Sequence, residues 1–280
     1  MKLFDIDQQK CTRCGICLEV CPTAVIEFKD KNSFPTPDSG KTCIECGHCL
    51  AACPHDAFLL KKMPIDQCPP VEKNESITTR QLEYYFGARR SIRGYRDEPV
   101  DRDTLTRAID ITRFAPIYLN VQPVDWLLVY ERNEVKRMVE MVVNFFRYMK
   151  KKEQLFGKYD EITRLLVEYE SGKDPISWGA PHIIVTHAAK EDLRSEITGI
   201  HFHERDCTTA LTYLELLLPS FGLGSFRSWY FDITAKLWPP LQKALGLPRT
   251  HTTCVTLLVG YPKYEYYRLP LRNKPTVTWR

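Results

Sequence analysis

The sequence lacks a long hydrophobic run, a strong net charge and an apolar leader. No apolar stretch reaches the roughly 18–20 residues that a membrane-spanning helix needs, which argues against an integral membrane protein. The net charge is only +4 with acidic and basic residues interspersed, so no nucleic-acid-binding patch is indicated. Residues 1–5 soon become charged and have no apolar segment like that of a secretory signal. We therefore expect reduced thiols and a cytoplasmic location.

Cysteine, by contrast, is concentrated at one end of the chain. Eight of the 11 cysteines lie within residues 11–53, in two runs with the spacing C-x2-C-x2-C-x3-C-P. Three thiolates on one tight loop can bind three irons of a cubane cluster, while the fourth, aimed elsewhere, binds the other cluster. A structural zinc site usually pairs two C-x2-C knuckles, whereas each run here adds a third cysteine and a Cys-Pro. The spacing therefore favours two iron–sulfur clusters over zinc or disulfides.

The two runs are copies of one pattern. Shifting the first by 32 positions superposes every cysteine, the following proline, and Gly15 on Gly47. Over residues 1–62 the chain resembles the bacterial two-cluster ferredoxins. That resemblance implies two 4Fe–4S clusters, each taking three cysteines from one run and the last cysteine from the other. The implied sets are Cys11, Cys14, Cys17 and Cys53 for one cluster, and Cys43, Cys46, Cys49 and Cys21 for the other.

The surroundings of these cysteines also carry expectations. Glycine tolerates a backbone that passes close to a cluster, so Gly15 and Gly47 are expected to aim N–H groups at sulfur. The apolar pairs that follow each Cys-Pro, at residues 25–26 and 58–59, are expected to shield the clusters. Residues 29–42 are rich in turn formers and predict a connector between the two halves.

Length and composition predict two domains. A chain of 280 residues is long enough for about two, and about 200 residues remain after the ferredoxin-like part, enough for one substantial core. Residues 63–78 are rich in proline and lack periodicity, as a semi-rigid linker would. Cys68 in this segment lies outside the cluster spacing and is interpreted as a free thiol. The predicted order is domain 1–62, linker 63–78 and domain 79–280.

The second domain mixes helical and strand patterns without a regular βαβ rhythm, which favours an α+β layer fold. Gly87 is interpreted as a helix C-cap, Asp101 as an N-cap and Gly222 as the residue that ends a long helix. The periodicity predicts helices over residues 77–87, 101–114, 134–152, 162–169 and 207–221. It predicts strands over residues 124–130, 182–188 and 254–259.

Three stretches of this domain have side chains suited to binding chemistry. The first holds three arginines around a serine, which form either an anion site or a solvated basic turn: Arg89, Arg90, Ser91 and Arg93. The second is the proline-flanked loop 115–123, where Asn120 and Gln122 offer donors and acceptors suited to a flavin, or simply cap the loop. The third is the glycine turn 221–225, where backbone can approach a planar ligand closely.

Together and in this order, the stretches resemble the FMN-dependent nitroreductase family. Further shared motifs are an Ala-Pro before a strand at 180–181 and a Gly-Tyr-Pro at 260–262 followed by a basic tail. The resemblance implies an FMN-binding α+β domain and a homodimer whose C-terminal tail, here residues 261–280, wraps the partner. The residues it implies for FMN are Arg89, Arg90, Ser91, Arg93, Pro116, Asn120, Gln122, Gly224, Ser225 and Arg272. The family often has an aromatic residue directly after Gln-Pro, whereas Val124 and Asp125 intervene here.

The two resemblances together predict an oxidoreductase. Cubane clusters carry single electrons and a flavin stores two, so the fusion would pass electrons from the clusters to FMN and on to an organic acceptor such as a nitroaromatic or a quinone. The expected donor is ferredoxin or NAD(P)H, although no strand–Gly-x-Gly-x-x-Gly site for a dinucleotide is visible. Two alternatives remain open: a redox-sensing or electron-transfer subunit without a small substrate, and a nucleotide- or cobinamide-linked enzyme of the same fold.

Several histidines and cysteines stay outside these motifs. His201, His203 and Glu204 are interpreted as polar residues at a loop–helix junction, in preference to a metal site. His187, inside an apolar strand, is interpreted as a core histidine whose ring is hydrogen bonded. Cys207 and Cys254 are interpreted as packing residues.

Overall fold

The computed structural model describes residues 3–30, 32–38, 40–153, 159–190 and 202–280. The chain forms two compact units, one comprising Met1–Ile77 with Tyr118–Val121 and the other Thr78–Ile117 with Gln122–Arg280. The segment predicted as a linker, residues 63–78, falls almost entirely in the first unit. It contains two short 3₁₀ helices, Ile65–Gln67 and Lys73–Glu75.

The first unit is built from two small antiparallel ribbons and two single-turn helices. Strand β1 (Phe4–Ile6) pairs with β4 (Phe58–Leu60), and β2 (Ile26–Glu27) pairs with β3 (Thr36–Pro37). The helices α1 (Ile16–Glu19) and α2 (His48–Ala51) each begin directly after a glycine of the repeated motif. The internal sequence repeat is thus repeated in the structure as two glycine–helix turns.

The core of this unit is small and includes the cysteines. Phe4, Val25, Ile26 and Phe58 are buried, and Cys17, Cys21, Cys43, Cys49 and Cys53 pack against them. The predicted shielding is correct for three of its four residues. Leu59 is the exception, since it is 38% exposed while its neighbour Phe58 is 2% exposed. Successive side chains of a strand point to opposite faces, and only one face of β4 is covered.

The second unit is organised around a four-stranded antiparallel sheet. Its strands are β5 (Asp125–Val129), β6 (His182–Ala189), β7 (Gly224–Arg227) and β8 (His251–Gly260), in the order β5-β6-β8-β7. Both faces of the two central strands are buried. Ile183 and Leu258 pack into one apolar cluster, whereas the adjacent Ile184 and Leu257 pack into another. This alternation explains why β6 and β8 appear in the sequence as continuous apolar runs.

Helices cover both faces of the sheet. The described helices of this unit are α3 (Thr79–Ala88), α4 (Arg102–Ile111), α5 (Arg132–Lys151), α6 (Tyr159–Glu170), α7 (Phe202–Leu217), α8 (Trp229–Leu237) and α9 (Pro239–Leu245). Along α5 the buried residues recur three and four apart, which is the stripe of an amphipathic helix. Each fully buried side chain of this kind stabilises the fold by about 1.5–3 kcal/mol.

Several predicted boundaries need correction. Gly87 does not end its helix, because α3 continues to Ala88 and is capped at Arg89. The glycine instead lies where an added Cβ would be 3.4 Å from Leu269. Helix α3 begins with a capping box between Thr78 and Gln81, and Asp101 caps α4 through Thr104 as predicted. Strand β7 and the helices α8 and α9 were absent from the sequence prediction.

None of the helices in the described ranges combines the length and the apolar character needed to cross a membrane.

Candidate functional site

The eight repeated cysteines of the first unit line two cavities, four cysteines to each. One cavity is lined by Cys11, Cys14, Cys17 and Cys53. The other is lined by Cys21, Cys43, Cys46 and Cys49. These are the two sets implied by the ferredoxin resemblance, with the last cysteine of each run crossing to the other cavity. Four thiols around one cavity form the ligand set of a cubane cluster, so the residues fit the group.

The backbone around these cavities is shaped by the two glycines. Gly15 and Gly47 have φ of 81° and 77°, a left-handed conformation that glycine adopts without steric cost. A Cβ at Gly47 would lie 3.0 Å from the sulfur of Met63. The left-handed turn places a short helix directly after the second cysteine of each run. Glycine therefore suits the backbone conformation at these two positions.

Backbone N–H groups point at several sulfur atoms. The N–H of Glu45 donates to the Sγ of Cys43 and that of Ala57 to the Sγ of Cys53, each at 3.3 Å. Burial raises the pKa of the Cys21 thiol, but hydrogen bonds from Val25, Thr23 and Ala24 outweigh it, and its pKa is lowered. Donors of this kind stabilise thiolate, which is the form that binds iron.

For two of the other cysteines, burial outweighs the hydrogen bonds and the pKa of the thiol is raised. Burial raises the pKa of Cys17, and it raises the pKa of Cys49 to about 12. Both side chains face the apolar core of this unit. A cluster bound there would be shielded from water on that side, which is one of the factors that set cluster potentials.

In the second unit, the arginine–serine run lies beside strand β7. Ser91 forms a parallel bridge to Ser225, and the N–H of Ile92 donates to the Ser225 carbonyl oxygen at 2.9 Å. The structure therefore brings together two stretches that are more than 130 residues apart and were both predicted to bind the flavin. Ser225 is buried and Ser91 half-buried.

The three arginines of this run have different surroundings. Arg89 is paired with the buried Glu215 at 3.0 Å, and Arg227 binds the same carboxylate at 2.9 Å. Arg93 is exposed and stacks on the ring of Phe226, with its Cζ 4.4 Å from the ring centroid.

Arg90 is the arginine with an unsatisfied donor. One of its amino groups, Nη1, donates to the carbonyl oxygen of Arg89 at 2.5 Å. Its other amino group, Nη2, is buried and has no hydrogen-bond partner among the described residues. A buried guanidinium donor without a partner is costly, and an anion such as a phosphate would satisfy it. The run therefore fits a phosphate-bearing ligand, mainly through Arg90.

Gly224 lies where the chain packs too closely for a side chain. A Cβ at this position would lie 2.4 Å from Cγ1 of Ile92 and 2.9 Å from Cγ of Pro262. The space that a side chain would need is filled by protein. Glycine is thus required here for packing of β7 against the arginine–serine run and the start of the C-terminal tail.

The loop with Asn120 and Gln122 is divided between the two units. Asn120 belongs to the segment that clusters with the first unit, and its side-chain amide donates to the carbonyl oxygens of Ile44 and Glu45 at 3.2 and 3.0 Å. Gln122 is exposed and donates to the carbonyl oxygen of Arg113 at 3.3 Å, and Pro116 is also exposed. Sequence reasoning missed the contacts of Asn120 with the loop between Cys43 and Cys46.

The C-terminal tail begins against its own chain. Tyr261 accepts a hydrogen bond from the N–H of Arg96, and the N–H of Lys263 donates to the carbonyl oxygen of Gly94. Beyond this point the tail is exposed and has no regular secondary structure. Arg272 is exposed, and its Nη1 donates to the neighbouring Leu271 carbonyl oxygen at 3.0 Å. No contact between Arg272 and the arginine–serine run appears among the described residues.

The remaining polar residues of interest lie in helix α7. His203 and Glu204 are in its first described turn. His203 is buried, and Glu204 is paired with Lys236 at 2.7 Å. Cys207 is buried in the same helix, next to Cys254 of β8, as expected of packing residues. His201 lies outside the described residues.

The fold and the cysteine cavities define a class of protein: an α+β domain preceded by an iron–sulfur ferredoxin-like domain. Residues 87–261 match the nitroreductase family, and residues 10–57 match the 4Fe-4S dicluster domain. The first match spans more than half of the chain, which therefore belongs to the nitroreductase family. The two matches together make it an oxidoreductase that carries an iron–sulfur domain.

Known proteins are similar to much of this chain. An NADH dehydrogenase from Thermus thermophilus is 28% identical over 203 residues, covering 69% of this chain and 92% of that protein. A nitroreductase with bound FMN from Desulfitobacterium hafniense is 18% identical, covering 72% of this chain and 99% of that one with a TM-score of 0.55. A nitroreductase with bound FMN from Bacteroides fragilis is also 18% identical, covering 71% and 96%, with a TM-score of 0.52. At these identities the two structures support the fold alone.

Proposed function

We propose that this oxidoreductase uses two 4Fe–4S clusters to supply electrons to a bound FMN, which reduces an organic acceptor such as a nitroaromatic or a quinone. The observation that carries the proposal is that one chain joins eight cysteines, arranged four to a cavity, to a nitroreductase domain. When bound, the clusters transfer one electron at a time and the flavin stores two. Reducing the acceptor by two electrons therefore consumes two single electrons from the cluster side and two protons.

The chain's own residues have distinct parts in this proposal. The eight cysteines hold iron, and the N–H groups of Glu45 and Ala57 donate to two of the sulfurs. Arg90 supplies the phosphate of FMN with a buried donor, and Ser91 and Ser225 lie side by side next to it. Glu215 is paired with both Arg89 and Arg227 and so positions their side chains, while the buried donor of Arg90 is the one proposed for the anion.

The donor is proposed to be ferredoxin or NAD(P)H. The cluster domain favours a one-electron donor such as reduced ferredoxin, since single electrons can enter at the cubanes. The name of the Thermus thermophilus relative, NADH dehydrogenase, makes NADH the nicotinamide to test first. A hydride donor would deliver both electrons to the flavin at once and would not need the clusters.

The assembly and location are also proposals. The family resemblance supports a homodimer in which the exposed tail after residue 262 contacts the partner. The reduced cysteines expected for iron–sulfur ligands support a cytoplasmic location.

Anaerobic stopped-flow tests the electron route. Protein loaded with iron and FMN is mixed with reduced ferredoxin or with NADH, and flavin reduction is followed by its absorbance. We expect reduced ferredoxin to reduce the flavin in wild type, and Cys14→Ser to slow that reduction strongly. Cys68→Ser is the matched control, because Cys68 lies outside both cavities.

Two outcomes would contradict the proposal. If NADH reduces the flavin rapidly, ferredoxin does not, and Cys14→Ser behaves like wild type, the clusters are not on the route. If no nitroaromatic, quinone or enone is consumed in steady state with any donor that reduces the flavin, the chain is an electron-transfer or redox-sensing subunit without a small substrate.

A further inference from the structure

Two histidines and an aspartate meet at one end of the sheet in the second unit. Asp125 begins β5, His187 lies near the end of β6, and His251 begins β8. Asp125 is directly opposite His187 in the β5–β6 pair. His251 is opposite Ala189 in the β6–β8 pair, two residues beyond His187. Directly opposite and two-residue diagonal neighbours share a face of a sheet, so the three side chains project to the same side.

The ligand-type atoms of the three residues converge. The Nδ1 atoms of His187 and His251 are 3.0 Å apart. The Oδ2 of Asp125 lies 3.4 Å from Nδ1 of His251 and 4.0 Å from Nδ1 of His187. Among the described residues, these three are the one group of histidine, cysteine and acidic side chains with its ligand atoms gathered closely enough for a metal ion.

These separations suit the bond lengths between a metal ion and its ligands. A circle through three points separated by 3.0, 3.4 and 4.0 Å has a radius of about 2.1 Å, so one point lies about that far from all three atoms. Zinc binds imidazole nitrogen at about 2.0–2.1 Å and carboxylate oxygen at about 2.0–2.2 Å. The three atoms are therefore spaced closely enough for one ion, and a tetrahedral arrangement would require the 4.0 Å pair to move closer together.

The chemistry of the three atoms also suits a cation. An imidazole nitrogen without a proton and a carboxylate oxygen are both acceptors, and both are ligand atoms for metal ions. A divalent ion would therefore bind all three atoms at once.

These three residues lie at the opposite end of the sheet from the arginine–serine run, whereas Asp125 follows the loop 115–123 by two residues. His251 and Gly260 are at opposite ends of β8, and nine steps along a strand cover about 30 Å. Gly260 pairs with Gly224 next to the arginine–serine run, so the histidines lie at the far end of the sheet. His187 is nearly buried, while the side chain of Asp125 is 57% exposed, which leaves the site open to solvent on one side.

We propose that Asp125, His187 and His251 bind a divalent first-row transition-metal ion, such as zinc, that links β5, β6 and β8. Two imidazoles and one carboxylate from the protein are a recurring ligand set for zinc and for ferrous iron, with at least one position left for water. Because the ligands come from three neighbouring strands, the ion holds this end of the sheet together.

The test uses the complete chain, purified without oxygen and fully loaded with iron so that the cluster cysteines are occupied. The protein is incubated with one equivalent of Zn²⁺, dialysed, and analysed for zinc and iron by mass spectrometry. We expect about one zinc per chain in wild type. His251→Ala and Asp125→Asn should weaken zinc binding more than about 100-fold, since losing an outer-shell partner alone costs about 10–100-fold. Iron content should not change.

Asp103→Asn is the matched control, an exposed acid of α4 outside the cluster, and it should keep its zinc. X-ray absorption at the zinc edge identifies the ligands. The proposed site gives nitrogen and oxygen at about 2.0–2.2 Å, whereas zinc on cysteine gives sulfur at about 2.3 Å. A shell of sulfur ligands around the zinc would overturn the proposal. So would an unchanged zinc content in both His251→Ala and Asp125→Asn, or the absence of retained zinc in wild type.

Discussion

Asn120 is the residue whose role can be tested most sharply. The family resemblance implies that it binds FMN, whereas in the structure its side chain contacts the loop between two cysteines of the first unit. Its amide donates to the carbonyl oxygens of Ile44 and Glu45, which lie between two cluster cysteines. Each hydrogen bond contributes about 0.5–1.5 kcal/mol net, so the pair stabilises this loop by about 1–3 kcal/mol. Removing both should raise the population of the open loop by about 5- to 150-fold, at about 1.4 kcal/mol per tenfold.

The choice of substitution follows from the backbone. Asn120 has φ of 52°, in the left-handed region that asparagine and aspartate tolerate but alanine resists. Asn120→Asp keeps the size and the backbone preference while replacing the donor with a carboxylate that faces two carbonyl oxygens. Asn120→Gly removes the hydrogen bonds without strain at the same φ. Asn74→Asp, at an exposed position, is the matched control.

The assay follows iron released to a chelator under anaerobic conditions, together with FMN content. We expect the half of the iron bound through Cys43 and Cys46 to be released about 5- to 150-fold faster in both Asn120 variants. The other half should leave at the wild-type rate, and FMN content should be unchanged. Loss of FMN with an unchanged rate of iron release would refute this reasoning. It would instead support the role in FMN binding that the family resemblance implies for Asn120.

Three further predictions concern the second unit. Arg90→Ala removes the buried donor and should weaken FMN binding about 10- to 100-fold in a fluorescence titration, the effect of losing a hydrogen bond to a charged group. Burial raises the pKa of Asp232 to about 7, so the folded state keeps a proton that the unfolded state releases near pH 4. The contribution of Asp232 to the free energy of unfolding should therefore be greatest below about pH 4 and fall by up to about 4 kcal/mol between about pH 4 and 7, so wild type should lose stability relative to Asp232→Asn over that range in urea unfolding. Gly224→Ala places a Cβ 2.4 Å from Cγ1 of Ile92 and should destabilise the domain by about 1–3 kcal/mol in the same assay.

Each of these has a control and a contradicting result. Arg80→Ala, at an exposed arginine of α3, should keep full FMN affinity, and equal losses in both arginine variants would refute the role of Arg90. Asp103→Asn should leave the pH dependence as in wild type, and a stability of wild type relative to Asp232→Asn that rises from pH 4 to 7 would contradict the sign argued for Asp232. Gly40→Ala, whose Cβ would meet its nearest atom at 3.4 Å, should be close to neutral.

Patterns that depend on near neighbours were predicted well from the sequence. The apolar spacing of α5 and the N-cap at Asp101 are local features, and both appear in the structure. The segment 229–245 was missed because Trp238 is followed by two prolines, which suggest a break. In the structure those prolines instead begin α9, since proline is accommodated in the first turn of a helix.

Partners that are far apart along the chain were not predictable. The pairing of Arg89 with Glu215 spans 126 residues and changes which arginine is available to an anion. The contact of Asn120 with Glu45 spans 75 residues. His187 was interpreted as a core histidine, and it is indeed nearly buried and hydrogen bonded, but its partners on β5 and β8 could not be read from its own strand.

The sequence by itself determined the class of this protein, because the repeated cysteine spacing and the glycine positions are local patterns typical of a cluster-binding loop. Membership of the nitroreductase family likewise follows from motifs that occur in register along the chain. Only the tertiary structure decided which residues of those motifs have hydrogen-bond donors without a partner. Arg90 has a buried donor without a partner among the described residues, Arg89 does not, and Gly224 is required by the side chains packed against it. The physical reason is that hydrogen bonding and packing depend on atoms that strand pairing and helix packing bring together from distant parts of the chain.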